Sequence, residues 1–148
     1  GRIKGGVGTI LEKNQFDLSE RISINIIKDK KEIDLFAERV FVDIDKEYLS
    51  STNLKVNHND ITFSGREVSL SDEFISMSGN PIIFSKKDTF EGYSDEIRID
   101  LKKNLLYLSG TSSIFIDGKD ISGEDIVFDY ENNSILNSEN LRIKSENS

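Results

Sequence analysis

The sequence predicts an all-β fold built from stacked, short antiparallel strands. Three observations carry this expectation. Apolar residues alternate with polar ones at period two in run after run, the pattern of half-buried strands. The three- and four-residue spacing that gives a helix its apolar stripe is nowhere sustained. A charged–apolar–x–apolar–Asp–apolar pattern returns along the chain at about 29 residues, so the strands belong to a repeated unit.

Residues 1–21 show no pattern that assigns them. Their Gly5-Gly6-Val7-Gly8 lacks the Gly-Lys-Ser/Thr and the helix that a phosphate-cradling loop needs. The first clear strand carries Ile22, Ile24 and Ile26 on one face, because side chains two apart point the same way. The stretch from Ile33 to Asp45 holds a short helical pattern, yet Val40, Phe41, Val42 and Ile44 favour a strand. Leu54/Val56 and Ile61/Phe63 flank the polar turn Asn57-His58-Asn59-Asp60. Val68/Leu70 follow. Pro81, the only proline, comes after Gly79-Asn80 and is expected at a strand start, where a missing N–H does least harm. Ile97, Ile99 and Leu101 form the next face, followed by Ile114/Ile116. Asp117-Gly118 then signals a type I′ hairpin, whose two central residues both need positive φ. Ile126, Phe128 and Tyr130 form another face, and Leu141/Ile143 the last.

The repeat is read by aligning Arg39–Ile44, Glu96–Leu101 and Asp125–Tyr130, which place aspartates at 43, 100 and 129. Glu67-Val68-Ser69-Leu70-Ser71 supplies the copy between the first two, with Ser71 in the aspartate position. Between the copies, Ser78-Gly79-Asn80-Pro81-Ile82-Ile83-Phe84 parallels Ser109-Gly110-Thr111-Ser112-Ser113-Ile114-Phe115. Each unit therefore reads as several short strands joined by tight turns. A unit of that size cannot bury its apolar face alone, whereas a stack encloses a continuous interior. The aspartates have the opposite parity to the core residues and are expected to face outward and bond the turns.

Composition narrows the function. The 148 residues suit one domain, 1–148, and at that length folding buries about 70% of the unfolded surface. A net charge of −8, from 19 basic and 27 acidic residues, excludes a nucleic-acid partner, which needs clustered cations. Acyl chains are bound by apolar area, so the charge does not exclude a lipid. With no cysteine there is neither a disulfide nor a thiolate metal site. No apolar run is long enough for a membrane-spanning helix, and the opening residues are not a leader, so a secreted form is expected to be already trimmed. His58 is the only histidine and is expected in a solvated turn. Asp43-Ile44-Asp45-Lys46-Glu47 lacks the glycine and distal glutamate of a calcium loop. With one histidine and no cysteine, no nucleophile–base–orienter set can be assembled, so the chain is expected not to be an enzyme and to need no cofactor or metal. A carbohydrate-binding sandwich would want tryptophan platforms, and there is no tryptophan.

The stretch from Gly79-Asn80-Pro81 through Phe90-Glu91-Gly92-Tyr93-Ser94-Asp95-Glu96-Ile97-Arg98-Ile99-Asp100 to Leu105–Gly110 resembles an OstA-like repeat. So does Asp120–Tyr130. The likeness is clearest over 61–136 and weaker over 22–60. The OstA-like family includes LptA, the periplasmic bridge protein of lipopolysaccharide export, and the N-terminal domain of LptD, with LptC as a structural cousin. The resemblance implies a curved β-jellyroll whose apolar interior sheathes acyl chains, located in the periplasm. It implies a cargo of lipopolysaccharide or a related envelope glycolipid, the acidity of this chain leaving the exact lipid open. It also implies head-to-tail joining with like domains, LptC-like and LptD-like partners or further copies of the chain. On this reading the lipid-facing interior consists of Ile97, Ile99, Leu101, Ile114, Ile116, Ile126, Phe128 and Tyr130, by strand parity. The joining edges are the strand of Leu141 and Ile143 and, as acceptor, the strand of Ile22 and Ile24. The alternative is a structural repeat module of an envelope or fibre assembly, with a packed interior and no cargo.

Overall fold

The computed structural model describes residues 2–4, 7–28 and 30–145. Gly5 and Gly6 lie outside the described residues. The chain forms β1 (Arg2–Lys4), β2 (Val7–Glu12), β3 (Gln15–Lys28), β4 (Lys31–Asp43), β5 (Tyr48–His58), β6 (Ile61–Leu70), β7 (Phe74–Lys86), β8 (Phe90–Asp100), β9 (Leu105–Ile116), β10 (Lys119–Asp129) and β11 (Ser134–Ser145). All belong to one antiparallel sheet in which β3 to β11 follow in chain order, and β1 and β2 both pair with β3. The fold is all-β, as the alternation predicts, and there is no helix among the described residues.

The repeat is one long hairpin. Arg2, Lys31, Ile61, Phe90 and Lys119 open successive hairpins, 29 or 30 residues apart. The unassigned N-terminal residues are thus a further copy, with β1 and β2 lying along the two halves of β3. What the sequence presents as separate short strands are the two halves of one strand, interrupted where the sheet bends. The ladder shifts at Ser19/Ile22, Ser50/Leu54, Ser64/Glu67, Ser78/Ile82, Ser94/Glu96 and Glu124/Ile126. These breaks align across the sheet into a seam.

Bulges re-aim a strand and break its polar–apolar alternation, which is why the sequence signal lapses there. The residues at the seam fit that task. Gly110 has φ +79, and a side chain at that position would press on the Asp95 carboxylate. Gly65 and Gly79 let neighbouring strands approach, since a methyl on Gly79 would lie 3.2 Å from the Gly65 Cα. Pro81 lies within β7 at its register break, not at a strand start; a bulge tolerates the missing N–H as well as a first residue does.

Folding along the seam turns one sheet into two facing walls. The first wall presents Ile24, Leu35, Val56, Phe63, Phe84, Phe90 and Ile114, and the second Val42, Leu49, Val68, Ile75, Ile99, Leu106 and Phe128, all buried. Contacts across the interior show that the walls meet. The Phe90 ring packs edge-on against Phe128 with centroids 5.1 Å apart, and His58 meets Tyr130, 72 residues away. Opposite the seam lie two rims. The first carries the tight turns, with positive φ at Asn59 and Asp60 and at Asp117 and Gly118, the geometry that type I′ hairpins require. The second carries the loops at 44–47, 71–73, 101–104 and 130–133.

The recurrent aspartates hold the second rim. Asp43 Oδ1 accepts the Lys46 amide at 3.0 Å. Asp100 Oδ1 accepts those of Lys102 and Lys103, at 3.0 and 2.9 Å. Asp129 Oδ1 accepts Glu131 and Asn132, both at 3.0 Å. Ser71 does the same job with its hydroxyl, accepting the Phe74 amide at 3.2 Å. The turn-bonding role is as expected. The outward placement is not: Asp43 and Asp100 are buried, because each loop closes over the carboxylate that organises it. Amide donors hold the Asp43 and Asp129 carboxyls below the usual range, the Lys46 amide leading at Asp43 and Asn132 leading at Asp129.

Candidate functional site: the interior, its open end and its rims

Strand parity places Ile97, Ile99 and Leu101 on β8 and the loop after it. It places Ile114 and Ile116 on β9, and Ile126, Phe128 and Tyr130 on β10 and its loop. The structure buries all eight in the interior, none more than 7% exposed. They sit together on both walls and pack tightly.

Each end of the sheet is formed by terminal strands. At the N-terminal end β1 and β2 cover β3. Ile22 and Ile24 are therefore core residues of an internal strand, not an accepting edge. The sequence reading failed here because it left residues 1–21 without a strand to lay beside them. At the C-terminal end β11, among the described residues, pairs with β10 alone. Ile143 pairs with Ile121, and Ile135 with Phe128, so these side chains share the inward face of their partners. Yet Ile143 is 59% exposed and Leu141 45%. The apolar interior thus runs out to β11, the last strand among the described residues. Ile121 and Ile135 belong to this mouth. The sequence reading missed both, because Ile121 stands alone among polar neighbours and Ile135 sits beside Leu136, with no period-two partner to mark its face.

The rims meet through polar side chains. Lys28 Nζ lies 2.9 Å from Glu47 Oε1 and 4.0 Å from Asp72 Oδ1. Lys31 Nζ donates to Asn104 Oδ1 at 2.9 Å, and Tyr130 Oη lies 3.1 Å from the same oxygen. His58 closes the chain, with Nε2 3.3 Å from Tyr130 Oη and Nδ1 3.1 Å from the Glu32 carbonyl. The expected solvated histidine is in fact buried. It continues the inward parity of Leu54 and Val56 at the end of β5. Burial holds its pKa below the ordinary histidine value, against the Glu32 hydrogen bond. Burial and then the Asp100 charge push the Tyr130 hydroxyl up to about 12.

The outer faces are mostly polar but carry partly exposed apolar pairs, among them Phe41 with Tyr48 and Ile83 opposite Tyr93. Arg98 lies over Phe74 and Tyr107, 4.7 and 4.9 Å from their centroids. Among the described residues no group of three or more His, Asp or Glu side chains is placed to hold a metal ion, and no helix is long and apolar enough to cross a membrane.

No family model matches the sequence, and no curated protein matches it. The fold, however, is shared with LptH from Pseudomonas aeruginosa, described as the LptA-homologous periplasmic component of the conserved lipopolysaccharide transport device. The two superpose with a TM-score of 0.66 at 15% identity, over 80% of this chain and 98% of that one. The β-jellyroll architecture is therefore common to both.

Proposed function

We propose that this chain is a non-enzymatic periplasmic component of a lipid-transport bridge. It shields the acyl chains of lipopolysaccharide or a related envelope glycolipid between its two walls. The observation that carries this reading is the continuous apolar interior between the walls, whose inward-facing series runs on through Ile121 and Ile135 to the exposed Leu141 and Ile143 of β11. The architecture shared with a lipopolysaccharide-transport component supports the same reading. The outer edge of β11 is suited to receive a like domain, LptC-like, LptD-like or a further copy, by strand addition.

Photo-crosslinking residues test the cargo. Placed at Ile99 or Phe128 they capture glycolipid from envelope material. Placed at Arg98 or Val127, next along the same strands and facing away, they do not. One observation favours the alternative, a structural repeat module: the interior residues are packed wall against wall. Equal labelling of both faces, or none from the interior of a folded protein, decides for that module.

A further inference from the structure

We propose that the interior opens sideways, by parting of the two rims about the seam, and that Lys28–Glu47 and the Lys31–Asn104–Tyr130–His58 chain form the latch that holds them. As a way in for an acyl chain this rests on the lipid-carrying reading; as a latch it does not.

The case begins with how each side of the sandwich is closed. The seam is crossed by continuous strands, and Ser94 Oγ there lies 2.9 Å from Ser112 Oγ and within reach of the Glu96 and Ser109 carbonyls, its one proton serving them in turn. The rims differ. Every hydrogen bond or ion pair that joins them among the described residues involves a side chain, and no backbone-to-backbone bond crosses. The latch is also incompletely satisfied. The Glu32 carbonyl only accepts, so the neutral imidazole carries its proton on Nδ1 and leaves Nε2 an acceptor. Tyr130 has one hydroxyl proton for two acceptors, His58 Nε2 and Asn104 Oδ1. Asn104 cannot turn to help, because its Oδ1 receives Lys31 while its Nδ2 donates to Glu131. One of the two bonds is always unmade. Behind the rims the walls meet in apolar contact, Phe90 against Phe128, but the rims themselves are joined by exchangeable polar contacts.

Two experiments bear on it. In the first, spin labels at Asp60→Cys and Lys103→Cys, one on each rim and outside the latch, report the rim separation. Combining Asn104→Ala with Tyr130→Phe is expected to shift the distance distribution to longer, broader values, whereas Ser94→Ala at the seam leaves it in place. An unchanged distribution in a cooperatively folding latch variant overturns the proposal. The second uses Lys31→Cys with Asn104→Cys, before and after tethering by a short bis-maleimide, in a chain with no native cysteine. Uptake of cis-parinaric acid, which fluoresces when its chain is buried, is expected to slow about tenfold or more on tethering, the factor that corresponds to about 1.4 kcal/mol. A tether between Ser85→Cys and Glu91→Cys, on adjacent strands of one wall, is expected to leave uptake unaltered. Equal uptake before and after the rim tether means that chains pass through the C-terminal mouth, and overturns sideways opening. If no form takes up the probe, the lipid reading fails, and the spin-label distances still decide the latch.

Discussion

Replacing Phe128 with alanine tests whether the two walls truly meet. Its ring is fully buried on the second wall and stands edge-on to Phe90 of the first, with centroids 5.1 Å apart and planes at 77°. On its own wall it lies between Leu106 and Ile135. Truncation removes apolar area and leaves a cavity that neither wall can fill without moving. The expected cost is about 3–5 kcal/mol, of which the aromatic pair accounts for roughly 0.5–1.5. For a chain of this length that lowers the melting temperature by roughly 6–20 °C, at about 2–4 °C per kcal/mol. Urea unfolding should show a lower midpoint with an unchanged slope, since the folded surface is otherwise the same. The neighbouring Val127→Ala, on the outer face, should cost about 1 kcal/mol or less. If Phe128→Ala also costs less than about 1 kcal/mol, the walls are splayed at this level and the interior is an open groove.

Three further outcomes follow from the polar positions. Tyr130→Phe keeps the ring packing but removes the one hydroxyl proton that His58 Nε2 and Asn104 Oδ1 share, so unfolding experiments should show a loss of about 1–3 kcal/mol. His58 has a folded pKa below its ordinary value of 6.5. The unfolded chain therefore binds the proton more readily, and stability should fall as pH drops from about 6.5 toward the folded pKa. His58→Leu should flatten that slope in equilibrium unfolding at a series of pH values. Asp100→Ala strips the acceptor from two loop amides and should cost about 1 kcal/mol or more, while Asp100→Ser, which copies the natural Ser71 turn, should cost clearly less in the same assay.

The strand faces were legible because burial on one face imposes period two, and Ile97, Ile99, Ile126 and Phe128 keep that period without interruption. The 29-residue return was legible for a different reason: a carboxylate or hydroxyl must end every second strand to bond the loop, hence Asp43, Ser71, Asp100 and Asp129. The seam was not legible. A bulge exchanges the two faces of a strand, so Ser78 to Ile82 reads as a break between strands when it is a bend within one. The N-terminal strands escaped notice because Gly5-Gly6 and Gly8 remove the apolar alternation that marks the later copies. The pairing of His58 with Tyr130, and of Lys31 with Asn104, depends on how the sheet doubles back, and residues 72 and 73 positions apart carry no local sign of it.

A packed interior and a lipid cargo are reconciled by asking what an acyl chain would displace. Opening an empty sandwich exposes both walls to water, at about 25 cal/mol for each Å² of apolar area, and the polar latch alone does not offset that. A chain sliding in as the rims part changes the balance. Each wall then exchanges contact with the other wall for contact with methylenes, so its buried apolar area is largely kept. The chain meanwhile loses its own exposure to water at about 0.8 kcal/mol per CH₂, or roughly 10 kcal/mol for a dozen methylenes. The walls thus have two states of similar apolar burial, closed on each other or closed on a chain. What separates them is the small set of rim contacts together with the strain taken up at the seam. The same reasoning bears on Phe128→Ala. Its cavity should make the second state easier to reach, so cis-parinaric acid should restore more stability to the variant than to the parent. At a hundred times its dissociation constant a ligand adds about 2.7 kcal/mol. Equal stabilisation of the two proteins would mean that the probe binds outside the walls, and that the interior near Phe128 is core and nothing more.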